Sequence, residues 1–68
     1  PSEAVTVNLE IAKLPVKLRE VVLLYYYQDM KIEDVALALN ISVSSVSGRL
    51  KRAKEKLRRA LKEAYFDE

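Results

Sequence analysis

Any chemistry in this chain has to come from cations, carboxylates and hydroxyls, because it contains no cysteine and no histidine. Thiol nucleophiles, disulfides, Cys/His zinc sites and a histidine general base are therefore excluded. Acidic residues are plentiful, but none forms a catalytic pair with a third group, and the lone glycine, Gly48, makes no glycine-rich phosphate loop. The chain reads as a non-enzyme with no cofactor, no bound metal and no small-molecule substrate. What stands out is a cluster of hydroxyls, Ser42, Ser44, Ser45 and Ser47, running straight into a basic stretch. From Arg49 to Glu63 there are eight basic residues against two acidic ones, a local charge of +6 within a chain whose net charge is +2. Residues Pro1 to Gly48 carry −2. Such polarity points to a polyanionic partner, although charge alone is equally served by a solvated helix face.

These residues share one predicted helix, spanning about 43–64. Val46, Leu50, Ala53, Leu57, Ala60, Leu61 and Ala64 recur in steps of three and four and define its buried stripe. With Val46 as the centre of that stripe, about 100° per residue places Ser44, Gly48, Lys51 and Glu55 on the opposite side. Ser45 and Ser47 fall on the flanks, and Arg49 and Arg52 lie nearer the Ser45 side. The first turn is thus small and hydrogen-bonding, and long cations follow one turn later. Ser42 is placed to cap the helix, and the amides of Val43 to Ser45 to cradle a phosphate. Arginine and lysine pair well with guanine, whereas serine is permissive and reads little by itself.

Three shorter helices must position this one, over about 3–13, 15–27 and 32–39, and no segment reads as a strand. Ser2 is a plausible cap for the first, with Ala4, Val7, Ile11 and Leu14 at helical spacing. Leu14-Pro15 ends it, since a residue before proline avoids the helical region, and Pro15 suits the first position of the second helix. In that second helix Leu18, Val21, Val22 and Tyr25 repeat on one face. Gln28-Asp29-Met30 breaks the pattern. The third helix buries Ile32, Val35, Ala36 and Leu39, carries Glu33 and Asp34 in its first turn, and stops at Asn40 in a left-handed conformation.

A short helix, a turn of Asn40, Ile41, Ser42 and Val43, and a serine-capped long helix match a helix-turn-helix. In that arrangement Ile41 packs under the turn and the start of the long helix enters the major groove of DNA. Each feature also has a blander reading. The serines suit any helix start, and Gly48 is either room for a DNA edge or a glycine tolerated near a terminus. Glu55 reads as an i, i+4 partner of Lys51 and Arg59 rather than a base reader. Arg58, Arg59 and Lys62 are phosphate contacts or solvated surface. The three consecutive tyrosines at 25–27 point in three directions on a helix, so they form no stacking platform, and Tyr25 belongs to the core.

Length and composition set the frame. Sixty-eight residues, half of them hydrophobic and a third charged, make one small globular domain, covering 1–68. At this size only about 60% of the unfolded chain's surface is buried, so stability is modest. No apolar run approaches the roughly 20 residues of a membrane span and no signal pattern opens the chain, so a soluble, cytoplasmic protein without membrane contact is expected.

From Leu14 to about Leu61 the sequence resembles region 4 of bacterial RNA polymerase sigma factors, particularly the extracytoplasmic-function type. The resemblance rests on Leu14-Pro15, the run Leu18-Arg19-Glu20-Val21-Val22-Leu23-Leu24-Tyr25-Tyr26, and Ile32-Glu33-Asp34-Val35-Ala36. It continues through Leu39-Asn40-Ile41-Ser42 and Ser45-Val46 to Arg49-Leu50, Arg52-Ala53 and Leu57-Arg58. The Arg-Leu-x-Arg-Ala string is the most discriminating part, since response-regulator effector domains share the earlier motifs but not that ending. The resemblance implies an all-α, four-helix domain of the winged-helix-like class without the wing. It also implies binding of double-stranded promoter DNA at the −35 element while a neighbouring region engages the polymerase β-flap, with an anti-sigma factor as a further partner.

By matching positions, Ser44, Ser45, Ser47, Gly48, Arg49 and Arg52 would face DNA, and Ser42 and Lys51 complete the candidate set. Lys31 departs from the serine or threonine that usually caps the third helix, and Ser45 and Gly48 replace a commoner threonine and serine. The chain lacks the region that melts and reads the −10 element, which implies an excised domain or stand-alone fragment of a longer factor. Two other readings stay open: a stand-alone helix-turn-helix regulator, which would dimerise, and a helical protein-interaction module.

Overall fold

The computed structural model describes residues 3–66, with side-chain surroundings described for 6–62. Four helices follow one another, α1 (Glu3–Ala12), α2 (Val16–Val22), α3 (Ile32–Leu39) and α4 (Val43–Phe66), with α2 running on into a wider π-helical turn over Leu23–Tyr27. The described residues contain no strand and therefore no wing. No helix among them is long and apolar enough to cross a membrane.

Helix α1 ends at Ala12, one residue short of the expected stop, and closes through tight bonds from Lys13 N–H to Glu10 O and Leu14 N–H to Ile11 O, at 3.2 and 3.1 Å. The Arg19 guanidinium donates to the Ala12 carbonyl at 3.0 Å, supplying a partner that a helix C-terminus otherwise lacks. The proposed cap Ser2 and the side chain of Ala4 fall outside the described residues. Pro15 is the N-cap of α2 and not its first helical residue. Its ψ of 147° is extended, while its carbonyl already accepts from Leu18 and Arg19.

The second correction lies at the end of α2. A continuous α-helix to Tyr27 is expected from spacing, but Gln28 N–H bonds to Leu23 O at 3.1 Å, a five-residue step. The wider turn slows the angular advance of the chain there. Tyr25 stays half-buried against the core, whereas Tyr26 and Tyr27 emerge, each about half exposed, on the side facing α1 and α4. Asp29 then reverses the chain at φ 55°, and Met30 N–H reaches back to Leu24 O at 3.1 Å.

Helix α3 begins without a side-chain cap at Lys31, as its residue type predicts. It ends in a Schellman turn: Asn40 is left-handed at φ 57° and ψ 46°, and Ile41 N–H donates to Ala36 O at 3.0 Å. Asn40 tolerates this region because its short side chain can bond locally, where most residues would be strained.

The core lies where α2, α3 and α4 meet. Val21, Val35 and Val46, one from each, are fully buried and centre a cluster that takes in Leu18, Val22, Ala36, Leu50 and Ala53. Ile11 and Leu14 close it from the α1 side. Burial of each such valine contributes about 1.5–3 kcal/mol, so the angle between α3 and α4 is held mainly by apolar contact. Leu37 departs from this pattern, sitting on the outer side of α3 at 80% exposure.

Candidate nucleic-acid interface

The turn that aims α4 comprises Asn40, Ile41 and Ser42; Val43 is already helical. Ile41 is half-buried against the core and fixes where the new helix starts. Ser42 caps it. The Ser45 amide donates to Ser42 Oγ at 3.0 Å, and Val46 N–H donates to the Ser42 carbonyl at 3.1 Å. Ser42 Oγ in turn donates to Ser45 Oγ at 2.9 Å and lies 3.2 Å from Ser44 Oγ. Three of the four serines thus form one exposed hydroxyl cluster at the helix tip, and Ser47 stands apart from it. Because the cap occupies the Ser45 amide, the anion cradle expected over Val43 to Ser45 shrinks to Val43 and Ser44. As the first two residues of a helix these have no intrahelical acceptor.

The next turn supplies the cations. Lys51 and Arg52 are exposed, whereas Arg49 is half-buried beside the core stripe. Gly48 lies between Ser44 and Arg52 on the same side, and a Cβ built on it would sit 3.6 Å from Arg52 Nη1. The Arg52 guanidinium is therefore folded back along the bare backbone toward the serine tip. The expected ion pairs of Glu55 are absent. Among the described residues the only carboxylate–cation contact within 4.0 Å is Lys13 with Glu10, at 3.2 Å. Glu55 is half-buried and is at contact distance from neither Lys51 nor Arg59.

A second surface was not foreseen. The tyrosines freed by the π turn, together with Val7, Ile11, Leu57 and Leu61, line an open groove of about 720 Å³ between α1 and the C-terminal half of α4. Its rim carries Lys54, Arg58 and Lys62. Lys54 Nζ lies 5.8 Å from the centroid of the Tyr26 ring, within cation–π range. Its ammonium is held above the usual lysine value by a hydrogen bond with Tyr26 and then by the charge of that group. Tyr26 also meets Tyr25 edge-on at 4.9 Å, and Tyr27 donates from its hydroxyl to Asn8 Oδ1, tying α1 in place. Arg58 and Lys62 therefore border an apolar groove and are more than a solvated run. Helical periodicity could not reveal this, because the π turn changes the phase on which the tyrosines emerge.

An all-α domain whose Schellman turn and serine cap orient an exposed, net-basic helix is a helix-turn-helix domain. Residues 6–57 match the family described as Sigma-70, region 4, and the chain belongs to that family. It is similar to the ECF RNA polymerase sigma factor SigW of Bacillus subtilis (strain 168), with 36% identity over 58 residues, which is 85% of this chain and 31% of that protein. The chain thus spans about a third of that curated relative. No solved structure matches it.

Proposed function

We propose that this chain is one domain that binds double-stranded promoter DNA at a −35 element and directs RNA polymerase there in transcription initiation. The observation carrying the reading is the tip of α4, where capped hydroxyls are followed one turn later by exposed cations with no carboxylate in contact among the described residues. Ser42, Ser44 and Ser45, with the Val43 and Ser44 amides, meet a phosphate and the groove edge. Ser47, Gly48 and Lys51 line the approaching face, and Arg52 reaches bases. Arg49, half-buried, contacts the flanking backbone.

The groove supports the polymerase half of the reading. An apolar floor with a cationic rim suits an amphipathic helix bearing acidic flanks, and we assign it to the β-flap of the polymerase core. An anti-sigma factor covering the same groove would withhold the domain from polymerase. The polymerase partner places the work in the cytoplasm, and none of these roles requires catalysis.

The test is selection of bound duplexes from a randomised pool, followed by affinity measurements across a salt series. A short enriched motif whose binding survives moderate salt supports the reading. If three or four phosphates are neutralised, the slope of log K against log salt will be about −3 to −4. Weak binding without enrichment, vanishing as salt rises, would overturn it.

A further inference from the structure

The contact between Gly48 and Arg52 has a consequence for what Arg52 can read. Side chains on a helix lean toward its N-terminus, so residue 52 projects over residue 48. At Gly48 that surface is bare: among the described residues, outside the helix's own backbone, an added Cβ meets within 4 Å Arg52 Nη1 alone, at 3.6 Å. A methyl group there would be in ordinary van der Waals contact, so Gly48 is not required for the fold. Glycine is also the costliest ordinary residue in a helix interior, so alanine would hold this helix better. Its presence is therefore unexplained by packing.

We propose that Gly48 is a positioning residue for DNA recognition: its bare backbone is the track along which Arg52 reaches forward to the tip of α4, and the side chain at 48 determines which base Arg52 meets. The inference rests on the DNA-binding reading above. A methyl touches the guanidinium and narrows the track. A serine hydroxyl extends beyond the Cβ and competes for the guanidinium, and a leucine fills the shelf and turns Arg52 aside. Arg49, on the flank and half-buried, has no such track and keeps its position whatever stands at 48.

The experiment is a double-mutant cycle on the duplex selected with the unaltered chain, using Gly48→Leu and Gly48→Ala, each with and without Arg52→Ala, and a scrambled duplex as control. Leucine and alanine are both good helix formers, so each variant is expected to fold, and circular dichroism verifies this. Gly48→Leu should weaken binding to the selected duplex about tenfold or more, the scale of losing one bidentate base contact. In the Arg52→Ala background the same substitution should weaken binding by a clearly smaller factor, and reselection with Gly48→Leu should alter the preference at one base position. Gly48→Ala should weaken binding by a smaller factor than Gly48→Leu, and only when Arg52 is present. Losses that are additive with Arg52→Ala, or an unchanged base preference, overturn the inference while leaving promoter binding intact. Failure of the unaltered chain to enrich any motif overturns both.

Discussion

Replacing Ser42 with aspartate separates the two tasks assigned to the tip of α4. The hydroxyl now accepts from the Ser45 amide at 3.0 Å, and a carboxylate can accept the same bond. Aspartate ranks with serine as an N-cap and adds favourable charge at the positive end of the helix, worth about 0.3–1 kcal/mol at a surface site. Folding stability should therefore hold or rise, by up to roughly 4–8 °C in Tm for a domain of this size. DNA affinity should fall. A carboxylate about 6 Å from a phosphate costs about 0.7 kcal/mol in bulk water and about 2.8 kcal/mol at an effective dielectric of 20. Threefold to a hundredfold weaker binding is the expected range, shrinking as salt is added. Thermal unfolding and fluorescence anisotropy on one preparation read both quantities. A clear drop in Tm would refute the capping argument, and undiminished affinity at low salt would show that the tip of α4 does not face phosphate.

Val35→Ala removes two methyl groups from the fully buried centre and should destabilise the domain by about 2 kcal/mol or more. Leu37→Ser, at an 80% exposed position, should stay within about 0.5 kcal/mol, and both follow from thermal melts. Arg52→Ala should weaken specific DNA binding by about 1–3 kcal/mol with a smaller effect on scrambled duplex; equal losses would reduce it to a phosphate contact. Lys62→Ala should leave DNA affinity nearly unchanged at physiological salt, but weaken capture of the isolated β-flap, measured by titration calorimetry. A large loss of DNA binding would extend the footprint far along α4.

Much of the architecture was legible in residue types and spacing. Asn40 before Ile41-Ser42 announced the left-handed stop and the cap, and both formed, because each is a local property of a few residues. The stripe Val46, Leu50, Ala53 was readable for the same reason, as burial follows helical period. The family, too, was carried by sequence motifs, from Leu14-Pro15 to Leu57-Arg58. The π turn over Leu23–Tyr27 was not readable, since a run of large residues is compatible with either helical pitch and tertiary contact decides. With it went the groove, whose walls come from residues as distant as Val7 and Leu61. Glu55 misled because i, i+4 spacing permits an ion pair without compelling one, and exposed pairs gain little.

Helix α4 spans 24 residues, or about 36 Å at 1.5 Å per residue, within a molecule 41 Å long. Its first turns form the hydroxyl tip, and the stretch from Lys54 to Lys62 walls the groove. A single rod therefore acts as a ruler. Between Ser44 and Leu57 it advances about 20 Å, close to the width of a duplex, and every residue adds a fixed rotation. Whatever sits in the groove is thereby held at a set height and bearing above whatever the tip grips. The gauge is written in residue count, and no hinge is needed to maintain it.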